Sequence, residues 1–210
     1  YWQQSVDTKI EVTLDYVAHL LNGNIQLVYQ SNYPDTLRFI YLHLYPNAYK
    51  NDRTAYDTQA VENGDTHFYF SKEKDHGYID SLDFYVDHKS AKLQLLKNID
   101  EAKLILPQPL LPGSSIMIVS PFRVKIPYVF SRLGNNGQAY QISQWYPKPA
   151  VYDQKGWHIF PYLDQGEYYS EFGTDDVSVT LPENYILMST GDMVHAPKEQ
   201  KWLDSLAALP

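Results

Sequence analysis

The seven histidines are the residues of this chain best suited to bind a catalytic metal. A metalloprotease helix needs two histidines at positions i and i+4 with a glutamate directly after the first, because that spacing turns both imidazoles toward zinc. None of the seven histidines is followed by glutamate. His76 and His88 are too far apart to form a local pair, and both lie beside aspartates. We predict that these two are surface residues and that the chain itself holds no metal.

Paired carboxylates, a glycine-rich turn and serines are the other candidates for chemistry. Asp175 and Asp176 are neighbours, and neighbours on a strand point to opposite faces. Asp164 with Glu167 is typical of a solvated turn. Residues 134–137 (GNNG) lack the Lys-Ser/Thr of a phosphate-binding loop, so they predict a tight turn. No serine lies in a nucleophile-elbow pattern. The sequence therefore predicts that this chain is inactive by itself.

The composition is that of an ordinary folded protein. Of the 210 residues, 44% are hydrophobic and 20% are charged, close to the averages for globular chains. The 19 tyrosines favour strands, because flat rings pack well on a pleated surface. A net charge of -8 argues against a nucleic-acid partner, and the absence of cysteine excludes disulfides and thiolate metal sites. We predict one domain over residues 1–210, with no membrane span.

Alternating apolar and polar residues are the clearest local pattern. The alternation runs through residues 6–16 and indicates a strand with one wet face. Residues 22–24 (NGN) tolerate positive φ and predict a hairpin turn into a second strand. Residues 37–45 are predicted to form a third strand. The polar residues 47–66 show no sustained period and are predicted to form a long loop with at most one helical turn.

The rest of the chain continues the pattern of short strands. Further strands are predicted at residues 77–87, 91–96, 102–106 and 115–124. The prolines and glycine of residues 107–113 predict a sharp connection, and residues 176–181 with 185–189 predict a last hairpin. Residues 198–209 are the one good helix candidate, with an apolar stripe that normally packs on other structure. The predicted fold class is all-β, with curved, saddle-like antiparallel sheets or a β-sandwich and one short C-terminal helix.

Residues 143–149 (SQWYPKP) and 160–166 (FPYLDQG) together resemble a block of the M1 (gluzincin) zinc metallopeptidases. In that family the N-terminal domain carries Gln-x-Gln/Glu-Pro and then Phe-Pro-Cys-Phe-Asp-Glu-Pro. Residues 176–182 and 187–191 are similar to the strand, proline and small-residue turn that follow the block, and residues 1–4 resemble the start of bacterial members. The resemblance spans nearly the whole chain and points to the N-terminal β-domain of the bacterial aminopeptidase-like branch.

The resemblance implies a domain that covers one side of a thermolysin-like catalytic domain. That following domain supplies the H-E-x-x-H helix and the zinc, so the expected partners are the catalytic domain of the same polypeptide and a peptide substrate. In the family the Gln-x-Gln/Glu loop anchors the free α-amino group of the peptide. Gln144 matches its first position, and Tyr146 replaces the second Gln or Glu by a phenol, which offers no carboxylate. We expect both to bind substrate, in a secreted or periplasmic enzyme.

Two other interpretations are compatible with the same residues. A β-sandwich rich in exposed tyrosine and tryptophan also predicts a carbohydrate-binding module, and a purely structural or assembly domain is the third candidate. Gln144 is alternatively a buried amide that satisfies backbone groups at the end of a strand. Trp145, Trp157 and Tyr152 are expected to pack in the core or against another domain.

Overall fold

The computed structural model of the chain describes residues 3–166, 168–194 and 197–209. The chain divides into two compact units, Tyr1–Thr180 and Leu181–Pro210. The first unit is built mainly of strands, and one α-helix and two short 3₁₀ helices lie between them. The second unit contains a single helix among its described residues. This architecture confirms the predicted all-β class with one short C-terminal helix.

The first unit contains fifteen strands within the described residues. In chain order they are β1 (Ser5–Asp15), β2 (Leu20–Gln30), β3 (Leu37–His43), β4 (Tyr78–Asp80), β5 (Tyr85–Val86), β6 (Lys89–Ser90), β7 (Lys92–Leu95), β8 (Glu101–Leu110), β9 (Ser115–Lys125), β10 (Gly134–Asn136), β11 (Ala139–Gln141), β12 (Lys148–Pro149), β13 (Val151–Asp153), β14 (Gly156–His158) and β15 (Asp175–Thr180). Most of them are shorter than six residues. The long strands β1, β2, β8 and β9 therefore form the frame on which the shorter ones are placed.

The strands form two sheets and two hairpins. The larger sheet has the order β15-β1-β2-β9-β5-β6, and β4 also pairs with β9. The smaller sheet has the order β12-β3-β8-β7, while β10 with β11 and β13 with β14 form hairpins. Among these strand pairs β1 and β15 run parallel, with Thr8 opposite Asp175, and the others run antiparallel. The smaller sheet is the one that positions the candidate site, through β12 and β3.

Burial alternates along β1, as the pattern of residues 6–16 predicts. From Thr8 onward every second side chain is buried, all of them apolar except Thr8, and the intervening polar side chains are exposed. Ile10 and Leu27 of the larger sheet are fully buried, as are Ile40 and Leu42 of the smaller sheet. Apolar faces of both sheets thus form the core, and burial of this kind is the main driving force for the fold.

The first hairpin does not turn where the sequence predicts. The predicted turn at residues 22–24 is wrong, because the chain turns at residues 16–19. The Asp15 carboxylate accepts backbone N–H bonds at 3.0 and 2.9 Å from the second and third residues after it, which closes the turn earlier. Gly23 stays within β2, where a Cβ atom would lie 2.7 Å from the backbone oxygen of Glu11 and 2.9 Å from the ring of Phe122. The glycine makes room for that oxygen and that ring instead of making a turn.

β8 contains two prolines, although the sequence predicts that this strand ends at residue 106, before both of them. β8 continues to Leu110 although it contains Pro107 and Pro109. Both prolines are exposed, and they lie where the pairing of β8 with β3 shifts register. No regular ladder hydrogen bond is lost there, which is how an edge or bulge accommodates proline. The sharp connection follows at Gly113, whose φ is +72°.

The polar residues 47–66 contain more helix than predicted. A 3₁₀ helix, Tyr45–Tyr49, is followed by α1, Ala55–Glu62, and a second 3₁₀ turn lies at Glu73–Asp75. Thr54 caps α1, because its hydroxyl accepts a 3.3 Å bond from the backbone N–H of Asp57. The short helix lacks a long apolar stripe, so its 3.6-residue period is hard to detect in the sequence.

The second unit contains α2, Pro197–Ala207, close to the predicted helix at residues 198–209. Residues 185–189 form no strand, so the predicted last hairpin is wrong, and β15 pairs with β1 instead. The ammonium of Lys198 donates to the backbone carbonyls of Glu183 and Tyr185. No described side chain of α2 is buried, and its docking on other structure stays a prediction. Over the described residues, no helix has the length and apolar character to cross a membrane.

Candidate functional site

Gln144 lies in the loop between β11 and β12 with a strained backbone. Its φ is +53°, in the left-handed region that costs a non-glycine residue about 1–2 kcal/mol. Strain of this kind persists only when the surroundings fix the conformation. The amide oxygen Oε1 of Gln144 accepts a 2.6 Å hydrogen bond from the ammonium Nζ of Lys148. Instead of satisfying backbone groups, this amide oxygen therefore holds a side-chain ammonium.

Lys148 brings its ammonium to Gln144 from the smaller sheet. It begins β12 and pairs with His43 of β3. Its Nζ lies 5.9 Å from the ring centroid of Tyr45 and 6.0 Å from that of Tyr168, at the outer limit of a cation–π contact. Burial lowers the pKa of Lys148 to about 8, although the carboxylate of Asp175 acts in the opposite direction. We call Gln144, Lys148, Tyr45 and Tyr168 the Lys148 site.

A cluster of aromatic rings packs around Tyr45 of the Lys148 site. Tyr45 stacks on His43, with ring centroids 4.6 Å apart, and lies 5.3 Å from Tyr168 and 5.8 Å from Tyr162. Phe160 lies 5.1 Å from His43. Residues 143–149 and 160–166, the two segments of the resemblance, both reach the ring of Tyr45. The first does so through Lys148 and the second through Tyr162. The cluster fixes the rings that face the ammonium of Lys148.

A buried carboxylate anchors this cluster. Asp100 is 2% exposed, and its Oδ2 accepts a 2.6 Å bond from the backbone N–H of Tyr162. Burial raises the pKa of Asp100 to about 6, although the bond from Tyr162 acts to lower it. Burial likewise raises the pKa of the neighbouring Glu101. The hydroxyl of Tyr45 is buried without a hydrogen-bond partner among the described residues, which leaves one donor of the cluster unused.

Tyr146, the second predicted site residue, is half-buried beside its neighbours. Its ring lies 5.4 Å from the ring of Trp145 in an edge-on arrangement, and Trp145 in turn lies 5.8 Å from the ring of Phe122. Burial raises the pKa of Tyr146 to about 12, so the phenol stays neutral near pH 7. A neutral phenol oxygen accepts a hydrogen bond but carries no charge toward an ammonium group. The structure thus places Tyr146 and Gln144 on one short loop.

The other candidates for chemistry are not members of the Lys148 site, although the carboxylate of Asp175 attracts the ammonium of Lys148. Asp175 and Asp176 open β15 as neighbours on a strand, so they point to opposite faces. The carboxylate of Asp164 accepts a 3.3 Å bond from the hydroxyl of Ser131, while Glu167 lies outside the described residues. The turn predicted at residues 134–137 is misplaced, since residues 134–136 form β10 and the chain turns at residues 137–138 before β11.

The side chains that the structure describes offer no zinc site. No group of three His, Cys, Asp or Glu residues among them is arranged to hold a metal ion. His43 is buried between aromatic rings, and the Nε2 of His158 lies 2.8 Å from one carboxylate oxygen of Asp153. A catalytic zinc needs three protein ligands, and the described side chains bring no such set together.

The site residues predicted from the sequence are Gln144 and Tyr146, and the prediction does not include Lys148, Tyr45, Tyr168 or Asp100. One local pattern points to Lys148, since it is the single charged residue of residues 143–149. The other three come from segments distant in sequence: the pairing of β3 with β12 and β8 brings Tyr45 and Asp100 near Lys148, and Tyr168 joins them through its ring contact with Tyr45. No local pattern contains that information.

No protein-family model matches the chain, and no curated protein matches it. Among solved structures, an M1 zinc metallopeptidase from Deinococcus radiodurans is 13% identical with a TM-score of 0.44, covering 92% of this chain and 37% of that chain. A two-domain M1 zinc metallopeptidase mutant bound to L-arginine gives 13% identity, a TM-score of 0.45 and the same coverage. Yeast LTA4 hydrolase with bestatin gives 13% identity and a TM-score of 0.31, covering 57% of this chain and 14% of that chain.

The first two are M1 zinc metallopeptidases, the family that residues 143–149 and 160–166 resemble. This chain spans less than two-fifths of the length of the M1 metallopeptidases it matches.

Proposed function

We propose that this chain is the noncatalytic N-terminal β-domain of an M1-like zinc metallopeptidase of the aminopeptidase type. In this proposal it packs on the catalytic domain of the same polypeptide and helps to bind the N terminus of a peptide substrate. The catalytic domain carries the zinc, which activates water for peptide hydrolysis. This chain supplies one wall of the cleft and orients the peptide.

The contact between Gln144 and Lys148 carries the proposal. The oxygen Oε1 of Gln144 already holds an ammonium at 2.6 Å, beside the rings of Tyr45 and Tyr168. The α-amino group of a peptide is also an ammonium near neutral pH, and it needs the same kind of acceptor. A hydrogen bond to a charged donor is stronger than a neutral one. The residue that resembles the family's amine anchor is thus able to hold an amine.

Tyr146 has a different role in the same proposal. Its neutral phenol offers an oxygen acceptor and an apolar ring next to Trp145. It adds no negative charge to the subsite, so the discrimination of a charged N terminus depends mainly on Gln144. Tyr146 instead contributes surface against which the first side chain of the peptide packs.

The Gln144 role is tested in the full-length protein with peptide substrates. Tripeptides Xaa-Ala-Ala with each of the twenty first residues are assayed for release of the first residue. Gln144→Ala should raise KM by about tenfold, the loss expected for one hydrogen bond to a charged group, with kcat changed much less. Gln141→Ala, an exposed glutamine of β11, is the matched control and should leave KM unchanged. Equal KM values for the two variants would contradict the role of Gln144.

The presence of a catalytic domain is tested by the rest of the gene. The proposal expects the reading frame to continue into an H-E-x-x-H helix with a downstream glutamate, and purified full-length protein to contain zinc. A frame that encodes neither would overturn the enzyme assignment.

A carbohydrate-binding module remains the alternative, and ring packing disfavours it. Tyr152 stacks on Trp157 with ring centroids 4.5 Å apart and planes 16° apart, and Trp145 contacts Tyr146. The faces that Tyr152 and Trp157 turn toward each other are not available to stack on sugars, and the edge-on contact of Trp145 with Tyr146 restricts access to one further ring. Titration with a panel of glycans, followed by tryptophan fluorescence, separates the two functions, since saturable quenching would favour the alternative.

A further inference from the structure

The acceptor that the proposed function assigns to the substrate is occupied by this chain's own lysine. Lys148 donates to Gln144 at 2.6 Å, shorter than the usual N–H···O distance. Within the described residues it is the single hydrogen bond of this ammonium, which has two further N–H donors. The side chain of Lys148 therefore presents the same group that a peptide N terminus would bring.

Several contacts hold Lys148 in this position. Its backbone is fixed by the pairing of β12 with β3, and its ammonium faces the rings of Tyr45 and Tyr168. Asp175 attracts the charge, while burial opposes it. The ammonium is thus placed by the sheet but poorly solvated, and a lysine stem has four rotatable carbons through which the charge can move back to water.

Binding the ammonium of a peptide to Gln144 beside the ammonium of Lys148 costs electrostatic free energy. The amide oxygen of Gln144 has two lone pairs, but two ammonium groups bound to one oxygen lie within a few ångströms of each other and repel strongly in a half-buried site. Arg132 adds positive charge nearby, with its guanidinium carbon 5.2 Å from the ring centroid of Tyr168. A peptide with a charged N terminus therefore has to displace Lys148.

We propose that Lys148 is an internal competitor of the substrate's α-ammonium and sets the affinity of this subsite for peptides with a free N terminus. The inference rests on the proposed function of Gln144. Lys148 holds Gln144 in its strained conformation while the subsite is empty, and it leaves the amide oxygen when a peptide arrives. Lys148 is a positioning residue, since it acts through Gln144 and takes no part in bond cleavage.

The test measures KM and kcat of the full-length zinc-loaded enzyme for the best tripeptide of the Xaa-Ala-Ala series. Its N-acetylated form is measured as a competitive inhibitor. Lys148→Met keeps an unbranched apolar stem but removes the charge. The expected result is a KM about tenfold lower with kcat nearly unchanged, since the peptide no longer displaces a charged hydrogen bond. The inhibition constant of the N-acetylated peptide, which has no ammonium, should stay the same.

Two further variants make the result specific. Lys155→Met removes an exposed lysine from the turn between β13 and β14 and should change neither constant. The double variant Gln144→Ala with Lys148→Met should lose the gain of Lys148→Met, because the acceptor is gone. Thermal unfolding and zinc content of each variant confirm that the proteins compared are folded and loaded.

The outcomes separate this inference from the proposed function. If Gln144→Ala raises KM but Lys148→Met leaves it unchanged or raises it, the competitor role is overturned and the role of Gln144 stands. If Gln144→Ala leaves KM unchanged in every background, the proposed function of Gln144 fails first. A parallel change for the free and the acetylated peptide in Lys148→Met would indicate altered packing and would also overturn the inference.

Discussion

The larger sheet and the Lys148 site use opposite means to fix their conformation. In the larger sheet, β1, β2 and β9 pair along their whole lengths, and apolar side chains fill one face. The Lys148 site has a short strand, a left-handed glutamine and a poorly solvated ammonium, and the buried carboxylate of Asp100 lies beside it. The sheet gains stability from each contact, whereas the site keeps groups that cost stability and are useful for binding.

The largest effect expected from this comparison comes from the sheet. Leu27→Ala removes a fully buried side chain opposite Thr8 and Ile118, and should lower the free energy of unfolding by about 3 kcal/mol. The substrate KM at the Lys148 site should remain unchanged at temperatures where the variant is folded. Urea denaturation and peptide kinetics measure the two quantities. A loss below about 1 kcal/mol would show that the sheet is not the stabilising frame.

A second, smaller effect on the free energy of unfolding is expected at Asp100, beside the Lys148 site. Here the substitution should stabilise the protein at neutral pH, whereas Leu27→Ala destabilises it. Burial raises the folded-state pKa of Asp100 from 3.8 to about 6. A raised carboxyl pKa contributes stability that is present below about pH 4 and is lost as the pH rises through 6. Asp100→Asn keeps an acceptor for the backbone N–H of Tyr162 but does not titrate. Relative to this variant, the wild type should lose on the order of 2 kcal/mol between pH 4 and pH 7.

Chemical denaturation at a series of pH values measures this difference. Thr58→Ala on the exposed side of α1, with no titrating group, serves as the control and should give a flat difference from the wild type over the same range. A flat profile for Asp100→Asn as well would show that Asp100 is solvated in the folded protein.

The smallest effect concerns the strain at Gln144. Gln144→Gly and Gln144→Ala both remove the bond to Lys148, but glycine adopts a φ of +53° without a steric penalty. The glycine variant should therefore be more stable than the alanine variant by about 0.5–1 kcal/mol. Equal stabilities would mean that the loop relaxes to a right-handed conformation once the side chain is gone.

The same comparison explains what could be predicted from the sequence. The alternation in residues 6–16 predicts β1, because one buried face imposes a period of two. Gly23 suggested a turn, but its role is set by the backbone oxygen of Glu11 and by the ring of Phe122 from a distant strand. The parallel pairing of β15 with β1 joins the two ends of the first unit. Contacts between distant segments override local turn and hairpin patterns in both cases.

The candidate site, too, could be predicted from the sequence only where a local segment carries the information. Gln144 and Tyr146 could be identified because a family resemblance lies on one short segment. Lys148 lies on that segment too, but its role depends on where β12 pairs, and Tyr45 and Asp100 depend on the smaller sheet. The sequence shows that Gln144 carries an amide oxygen able to accept a hydrogen bond. Only the fold shows that the ammonium of Lys148 donates to it.

The central claim is that the amide oxygen of Gln144 is an ammonium acceptor contested by Lys148 and the peptide. A crystal structure of the full-length protein with a bound tripeptide tests it most directly. The account predicts the peptide nitrogen about 2.7–3.2 Å from Oε1 of Gln144, with Nζ of Lys148 moved away from that oxygen. A peptide nitrogen held by other groups, with Lys148 still bonded to Gln144, would contradict the account.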